Sequence, residues 1–287
     1  MLTSLRHYLS LVRFSHTLFA LPFALAAMFW AAGGLPGVRV FVLILLCMVF
    51  CRNAAMAFNR LVDAAYDARN PRTARRHIPA GVLTRRAVLV FFLANGGLFI
   101  AAASFLNPLA FALSPAALAA VCFYSLTKRF TSWSHLFLGL AIGTSPVGAW
   151  VAVRGEIGAE SLWLCLALLL WIAGFDIIYA TQDEDFDRKA GLNSVAVRFG
   201  LKGALTISRV LHGLMLAALV AIEVLFGLGW SYRIAVAVTA ALIAYIHFFR
   251  RSASLDDLNA DFFRANVAVS LVIFTGITAA VFLNGAL

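Results

Sequence analysis

Charged residues are scarce in this sequence, and their scarcity excludes most soluble folds. Asp, Glu, Lys and Arg together make up 13% of the 287 residues, whereas hydrophobic residues make up 63% and the mean hydropathy is +0.92. A soluble domain is nearer half apolar and needs more charge to cover its surface. The same apolar content excludes a disordered chain. The sequence therefore predicts an integral membrane protein.

Cysteine and acidic residues are also few. The four cysteines all lie in apolar runs and have no metal-site spacing, so we interpret them as small core residues rather than as disulfides. The 13 acidic residues against 23 basic ones give a formal net charge of +10. In a soluble protein this charge would indicate nucleic-acid binding. Here the basic residues fill short gaps between apolar runs, so membrane topology explains them better.

Nine apolar runs are long enough to cross a bilayer, which takes about 20 residues each. They lie at 14–33, 38–58, 86–105, 108–127, 133–153, 161–181, 205–227, 231–249 and 264–285. The first run shows no convincing cleavage site, so we interpret it as a retained helix. The sequence predicts an all-α polytopic protein of about nine transmembrane helices, forming a single domain over residues 1–287.

The distribution of basic residues predicts the orientation of the chain. If the N-terminus is cytoplasmic, the outer loops contain only three of the 23 basic residues, namely Arg39, Arg154 and Arg233. This asymmetry predicts a multi-pass protein of the inner (cytoplasmic) membrane with its N-terminus in the cytoplasm. Two long, charged loops near 59–86 and 182–203 would then cap the cytoplasmic face.

The first acidic cluster follows the second apolar run. It comprises Asn59, Asp63 and Asp67, and Arg52 lies inside the run itself. On a helix these four residues fall within an arc of about 80°, so one stripe presents a cation, an amide and two carboxylates. A charge at membrane depth costs roughly 2.5–3.5 kcal/mol, so Arg52 is expected to face an interior cavity.

The second cluster follows the sixth run and repeats the pattern. Asp176, Tyr179, Asp183 and Asp187 also fall within an arc of about 80° on a helix. Two facing sets of carboxylates repel each other, so a cation is expected between them. Oxygen ligands of this kind favour Mg²⁺ bound together with substrate phosphates. The alternatives are an internal ion pair between helices and solvated acidic helix ends.

Basic residues that accompany the clusters are candidates to bind a departing diphosphate. They include Arg72, Arg76, Lys128 and Arg198. Others of this set would serve membrane topology and contact with lipid head groups.

Both clusters resemble the motifs of the UbiA superfamily of intramembrane aromatic prenyltransferases. The first resembles N-D-x-x-D-x-x-x-D with a following R-T-x-x-R-x-x-P, at 59–67 and 72–79. The second resembles D-x-x-Y-A-x-x-D-x-x-x-D with a following S-x-x-x-R-x-G, at 176–187 and 194–200. The resemblance covers nearly the whole chain. It implies a UbiA-like helical bundle that transfers a polyprenyl group from a prenyl diphosphate to an aromatic quinone precursor.

Departures from these motifs bear on the aromatic acceptor. Arg60 stands where the first motif has its second Asp, and 14–22 differs from the R-P-I-G segment of typical 4-hydroxybenzoate enzymes. Together with 55–60 and 174–179, these segments resemble the subgroup assigned to the futalosine route of menaquinone synthesis, whose members prenylate a dihydroxynaphthoate. A dihydroxynaphthoate is therefore favoured over the 4-hydroxybenzoate of ubiquinone synthesis.

The resemblance also implies a role for each candidate site residue. The ligands of two Mg²⁺ ions would be Asn59, Asp63, Asp67, Asp183 and Asp187. The diphosphate would be bound by Arg72, Arg76, Lys128 and Arg198. The catalytic residues would be Asp176 and Tyr179, which would stabilise the carbocation, orient the phenol or accept its proton. The acceptor's carboxylate would pair with Arg52 or Arg13.

Two other functions fit parts of the pattern. A cation or metabolite transporter also has interior Asp and Arg residues, but its sites tend to lie near the bilayer midplane, whereas these acids cluster at one mouth. A CDP-alcohol phosphotransferase needs a D-G…A-R pattern before its acids, and Asp63 and Asp67 have none. Metal-dependent binding of a prenyl diphosphate without ion flux separates the enzyme from the transporter.

Overall fold

All regular secondary structure is helical in the part of the chain that a computed structural model describes, residues 11, 17–249 and 255–284. Its helices are α1 Thr17–Ala32, α2 Val38–Arg69, α3 Arg85–Ser104, α4 Pro108–Thr127, α5 Ser134–Arg154, α6 Ala159–Ala180, α7 Glu184–Lys189, α8 Val195–Phe226, α9 Trp230–Ala244 and α10 Leu255–Asn284. A 3₁₀ turn, Thr181–Asp183, links α6 to α7, and a π-helical turn, Tyr245–Phe249, follows α9. The all-α prediction is confirmed.

The helices are those of a multi-pass membrane protein. Within the described ranges, eight helices are long and apolar enough to cross a membrane, and the shorter apolar helix Ala20–Ala32 accompanies them. Three boundaries differ from the predicted runs, because these helices extend beyond their apolar residues. Helix α2 continues to Arg69, α8 already begins at Val195, and α10 begins at Leu255.

Helix α6 lies at the centre of the bundle. It packs against α5 on one side and α8 on the other, while α1 packs against α5 and α10. Helices α2, α3 and α4 pack against one another, and α4 joins them to α5. The indole of Trp171 on α6 is fully buried; it packs on Phe23 with ring centroids 5.4 Å apart and donates to Asn266 Oδ1 at 2.7 Å. The bundle thus holds α6, which carries part of the second acidic cluster, on several sides.

A pair of glycines brings α5 and α6 into close contact. A Cβ added at Gly139 would lie 2.4 Å from the carbonyl oxygen of Leu169, and one at Gly143 would lie 2.9 Å from that of Cys165. Glycines four residues apart allow helix backbones to approach closely in membranes. The pairing also fixes the register of the two antiparallel helices, so the start of α5 lies beside the end of α6.

Candidate active site

Both acidic clusters line one cavity. Its volume is about 760 Å³, and it lies between α2, α4, α5 and α6. The acidic and polar residues predicted for the site that line it are Asn59, Asp63, Asp67, Asp176, Tyr179, Asp183 and Asp187. The predicted basic residues that line it are Arg52, Arg72, Arg76 and Lys128. Residues far apart in the sequence therefore meet in one space, as the two stripes predict.

The first cluster lies on the last turns of a single continuous helix, α2. Asn59 Nδ2 donates to Asp63 Oδ2 at 2.9 Å, and the guanidinium of Arg129 lies 3.6 Å from the other oxygen of Asp63. Arg76 donates to Asp67 Oδ1 at 2.7 Å. Asp67 Oδ2 is buried and accepts no hydrogen bond from the described part of the chain. One carboxylate oxygen of this cluster thus has capacity for a further cation.

The second cluster crosses a break in the helix. Asp176 and Tyr179 lie on α6, Asp183 ends the 3₁₀ turn, and Asp187 lies on α7. The sequence-based wheel treated this segment as one α-helix; the turn changes its geometry, yet all four side chains still line the cavity. Asp187 is buried, and Lys128 Nζ lies 3.5 Å from its Oδ2.

The segment after α2 links the two clusters. Arg72 contacts both oxygens of Asp183: its Nε donates to Oδ1 at 2.8 Å and its terminal nitrogen forms a short contact with Oδ2. Arg72 also donates to the Tyr179 hydroxyl at 3.1 Å. Asn70 donates to Asp183 Oδ1 at 3.1 Å and accepts from the backbone N–H of Arg72. The basic segment of the first motif therefore holds the central acid of the second.

The basic side chains remain charged in this environment. Burial lowers the pKa of the Arg72 guanidinium, but its hydrogen bond to Asp183 and the charge of that carboxylate outweigh burial and raise the pKa. Burial likewise lowers the pKa of Lys128, whereas the nearby carboxylates, that of Asp187 above all, raise it above its ordinary value overall. The cavity mouth thus contains full positive charges that can bind an anion.

Asp176 lies deeper in the cavity than the charged mouth, and a histidine contacts one of its carboxylate oxygens. His135, at the start of α5, has no exposed surface, and its Nδ1 lies 2.7 Å from Asp176 Oδ2. The Asp176 side chain is 24% exposed and lines the cavity. The hydroxyl of Tyr179, one turn further along α6, faces Arg72. Asp176 and Tyr179 therefore present oxygen atoms between the charged mouth and the apolar interior.

Beyond Asp176 the cavity is lined mainly by small and apolar side chains. Those of α4 and α5 include Leu113, Ala117, Ala120, Ala141 and Gly148, and α2 contributes Ile44 and Met48. The lining runs from Ser134 to Ala152 on α5, a rise of about 27 Å at 1.5 Å per residue. A long hydrocarbon chain fits such a passage, with its polar head at the mouth.

One predicted site residue within the described part of the chain is not brought to this cavity. Arg198 lies on the first turn of α8, is exposed, and places its guanidinium 5.3 Å from the ring centre of Phe199. It does not line the cavity, and the turn that carries it precedes a break in the helix at Gly200, where φ is 65°. Arg13 lies outside the described residues. Arg52 does line the cavity, on α2 below the first cluster.

Sequence reasoning missed several contacts at the site. Asn70 was not considered, although its amide donates to a carboxylate of the second cluster. Arg129, one of the basic residues that accompany the clusters, contacts Asp63. Arg60 was noted only as a departure from the motif; it is buried, lines the cavity and donates to Asn59 Oδ1 at 3.1 Å. His135 was not assigned to the site. A signal existed for Asn70, which lies two residues before Arg72, but none linked His135 to Asp176.

Comparisons with known proteins agree with this geometry. The sequence pattern of the UbiA prenyltransferase family matches residues 20–267. The chain belongs to the UbiA prenyltransferase family. It is therefore a prenyltransferase. The two alternative functions, a transporter and a CDP-alcohol phosphotransferase, are excluded.

Curated relatives cover most of this UbiA-type chain. It is 33% identical over 255 residues to the 4-hydroxybenzoate octaprenyltransferase of Alkalilimnicola ehrlichii, covering 89% of this chain and 86% of the relative. It is 34% identical over 251 residues to the protein of the same name in Saccharophagus degradans, covering 86% and 82%.

Solved structures share the bundle. The apo structure of a UbiA homolog from Aeropyrum pernix has a TM-score of 0.82 and 34% identity, covering 91% of this chain and 96% of that one. A UbiA homolog from Archaeoglobus fulgidus, bound to GPP and Mg²⁺, has a TM-score of 0.72 and 20% identity, covering 95% and 99%. The expected UbiA-like fold is confirmed.

The residues at the cavity mouth fit Mg²⁺. Among the residues that the structure describes, no three His, Cys, Asp or Glu side chains converge at metal-binding spacing. Mg²⁺ commonly takes only one or two carboxylates and completes its shell with water and substrate phosphates. The uncommitted Oδ2 of Asp67 and the carboxamide of Asn59 are donors of the right chemistry.

Proposed function

We propose that this UbiA-type enzyme transfers a polyprenyl group from a prenyl diphosphate to a hydroxylated aromatic carboxylate, with a dihydroxynaphthoate as the acceptor. One observation carries the proposal: the two acidic clusters and the basic side chains of Arg72, Arg76 and Lys128 surround one mouth of a cavity whose remaining length is apolar. A prenyl diphosphate has the same two parts, a charged head and a hydrocarbon tail.

The basic residues would bind the diphosphate as it leaves. In the described structure Arg72, Arg76 and Lys128 contact Asp183, Asp67 and Asp187. They are therefore already positioned at the mouth, and contacts to phosphate oxygens would strengthen as negative charge develops on the leaving group. Mg²⁺ held by Asn59, Asp63 and Asp67 and by Asp183 and Asp187 would supply further charge neutralisation of the diphosphate.

The reaction that this arrangement supports is an electrophilic aromatic substitution. The allylic C–O bond breaks, and its electron pair leaves with the diphosphate. A ring carbon of the acceptor forms the new C–C bond and loses its proton. The carboxylate of Asp176 and the hydroxyl of Tyr179 lie between head and tail, where they would offset the allylic positive charge and orient the phenol, and Asp176 would accept the proton.

Two related aromatic carboxylic acids are candidates for the acceptor. The departures at Arg60 and at 14–22 favour a dihydroxynaphthoate, and Arg60 is buried in the cavity wall. The second candidate, 4-hydroxybenzoate, is favoured by the names of the curated relatives. Either molecule carries a carboxylate for a cationic side chain such as Arg52, which lines the cavity deeper than the acidic cluster on α2.

The proposed location is the inner (cytoplasmic) membrane, with the cavity mouth facing the cytoplasm. The supporting observation is the charge asymmetry of the chain: the end of the bundle that carries Asp63, Asp183 and Lys128 is rich in basic residues, and the opposite end is not. Basic segments of membrane proteins are retained on the cytoplasmic side.

A product assay in membranes tests the proposal. Membranes containing the enzyme receive prenyl diphosphates of several lengths together with 1,4-dihydroxy-6-naphthoate or 4-hydroxybenzoate, and mass spectrometry identifies the product. We expect a prenylated naphthoate whose amount falls by about a hundredfold in membranes containing an Asp183→Asn variant. Prenylated hydroxybenzoate alone would overturn the choice of acceptor, and no prenylated aromatic product would overturn the proposed reaction.

A further inference from the structure

A buried histidine outside the cavity touches the carboxylate that the proposed reaction uses. His135 has no exposed surface and does not line the cavity. Its Nδ1 lies 2.7 Å from Asp176 Oδ2. Because His135 has no access to a substrate in the cavity, a direct effect on the reacting groups would have to pass through Asp176.

The hydrogen bond at the second ring nitrogen of His135 determines which ring nitrogen carries the imidazole proton. The backbone N–H of Val195, the first residue of α8, donates to His135 Nε2 at 3.4 Å. A backbone N–H can only donate, so Nε2 must accept and carries no hydrogen. The remaining proton is therefore on Nδ1, and it is donated to Asp176 Oδ2. The geometry assigns a neutral imidazole that gives one hydrogen bond to a carboxylate.

The backbone around this pair is held in place. Gly139 and Gly143 bring α5 against the carbonyl groups of α6 with little room to spare. His135 lies one turn before Gly139 on α5, and Asp176 lies about two turns after Leu169, the residue whose carbonyl faces Gly139. The close contact between α5 and α6 therefore places the imidazole opposite the carboxylate. The backbone N–H of Val195 holds the ring from its other side.

We propose that His135 is a positioning residue for prenyl transfer, which holds Asp176 by one oxygen and directs the carboxylate into the cavity. This inference rests on the proposed function, in which Asp176 contacts the reacting groups. The hydrogen bond from the imidazole to Oδ2 fixes the rotamer of Asp176. The other carboxylate oxygen, Oδ1, is then available to the acceptor. The arrangement is that of a buried hydrogen-bond donor orienting a reactive group.

The test compares kcat and KM in two His135 variants. His135→Leu removes the donor, and we expect kcat to fall about tenfold to a hundredfold, as for other outer-shell partners, while KM for the prenyl diphosphate stays within about twofold. His135→Asn retains a side-chain N–H near the position of Nδ1, and we expect it to recover most of the lost kcat. A kcat unchanged in His135→Leu, or an equal loss in both variants, would overturn the proposal.

A double-mutant cycle separates positioning from general damage to the fold. If His135 acts through Asp176, then His135→Leu costs little further kcat in an Asp176→Asn background. Additive losses would show that the histidine acts independently and would contradict the inference. If Asp176→Asn alone retains normal turnover, the role of Asp176 in the proposed function fails instead, so the two failures are distinguishable.

A matched control comes from another buried histidine. His212 on α8 is equally inaccessible, but it contacts His247 and the carbonyl of Trp171 rather than the cavity. We expect His212→Asn to lower the unfolding temperature in detergent without a selective loss of kcat. If His212→Asn and His135→Leu reduced kcat alike, the effect would be structural and the proposal would be wrong.

Discussion

The two acidic clusters look alike in the sequence but are built differently. The first lies on one continuous helix, and Arg76, nine residues beyond Asp67, pairs with it. The second crosses a 3₁₀ turn, and its central acid, Asp183, is held by Asn70 and Arg72 from the segment after α2. The comparison teaches that the first cluster draws most of its partners from its own helix and the segment directly after it, with Arg129 as a contact from beyond α4. The central acid of the second cluster depends on that same segment, which is distant in sequence.

Removal of the metal should abolish the contribution of both acidic clusters to turnover. If both serve one metal–diphosphate complex, chelation should lower turnover in membranes by about a hundredfold or more, since metal ions contribute several kcal/mol of charge stabilisation. Mg²⁺ added back should restore it, as followed by product mass spectrometry. Full turnover in metal-depleted membranes would contradict the metal assignment for both clusters.

Loss of one carboxylate from either cluster should be nearly as severe. We expect Asp67→Asn and Asp183→Asn each to lower kcat/KM by about a hundredfold, because each removes a charge from the cavity mouth where the proposed diphosphate would lie. Steady-state assays with both substrates give the values. Near-normal turnover in either variant would show that its cluster does not share the site.

Substitution of the basic partners should affect kcat/KM to a different extent for each cluster. Arg72 contacts both Asp183 and Tyr179, whereas the described side-chain hydrogen bond of Arg76 leads to Asp67. Charge-assisted hydrogen bonds contribute about 1.5–3 kcal/mol, so we expect Arg72→Gln to lower kcat/KM by about a hundredfold and Arg76→Gln by about tenfold. The reverse order would contradict the dependence of the second cluster on the segment after α2.

Arg198 should show the smallest effect. It belongs to the motif but is exposed and outside the cavity. Arg198→Gln should leave kcat/KM within about twofold of the parent enzyme, as for other surface substitutions. A tenfold loss would indicate that the first turn of α8 reaches the diphosphate during the reaction, as its place in the motif predicts.

The helices and the two stripes could be predicted from local pattern. Apolar length identifies the spans, and helical periodicity places Asp63 and Asp67 on one face, which the structure confirms for α2. The like charge of the two stripes predicted a cation between them, and the resemblance to UbiA motifs supplied the role of each residue. These predictions succeed because they depend on residues close together in the chain.

The contacts between distant segments could not be predicted in the same way. The bonds of Arg72 to Asp183 and of His135 to Asp176 join residues 111 and 41 positions apart, and no local periodicity encodes them. The 3₁₀ turn at Thr181–Asp183 interrupts what reads as uniform helix. The start of α8 was also misplaced, because the helix begins at Val195 after the N-cap Ser194 and has a break at Gly200, well before the predicted apolar run.

Equilibrium binding of a non-reactive prenyl thiolodiphosphate in the presence of Mg²⁺ tests the central claim most directly. If the two clusters grip one diphosphate, Asp63→Asn and Asp183→Asn must each weaken binding by about tenfold or more, and the double variant must lose little beyond the worse single one. Parental affinity in either single variant would mean that only one cluster binds the diphosphate, and the shared site would be refuted.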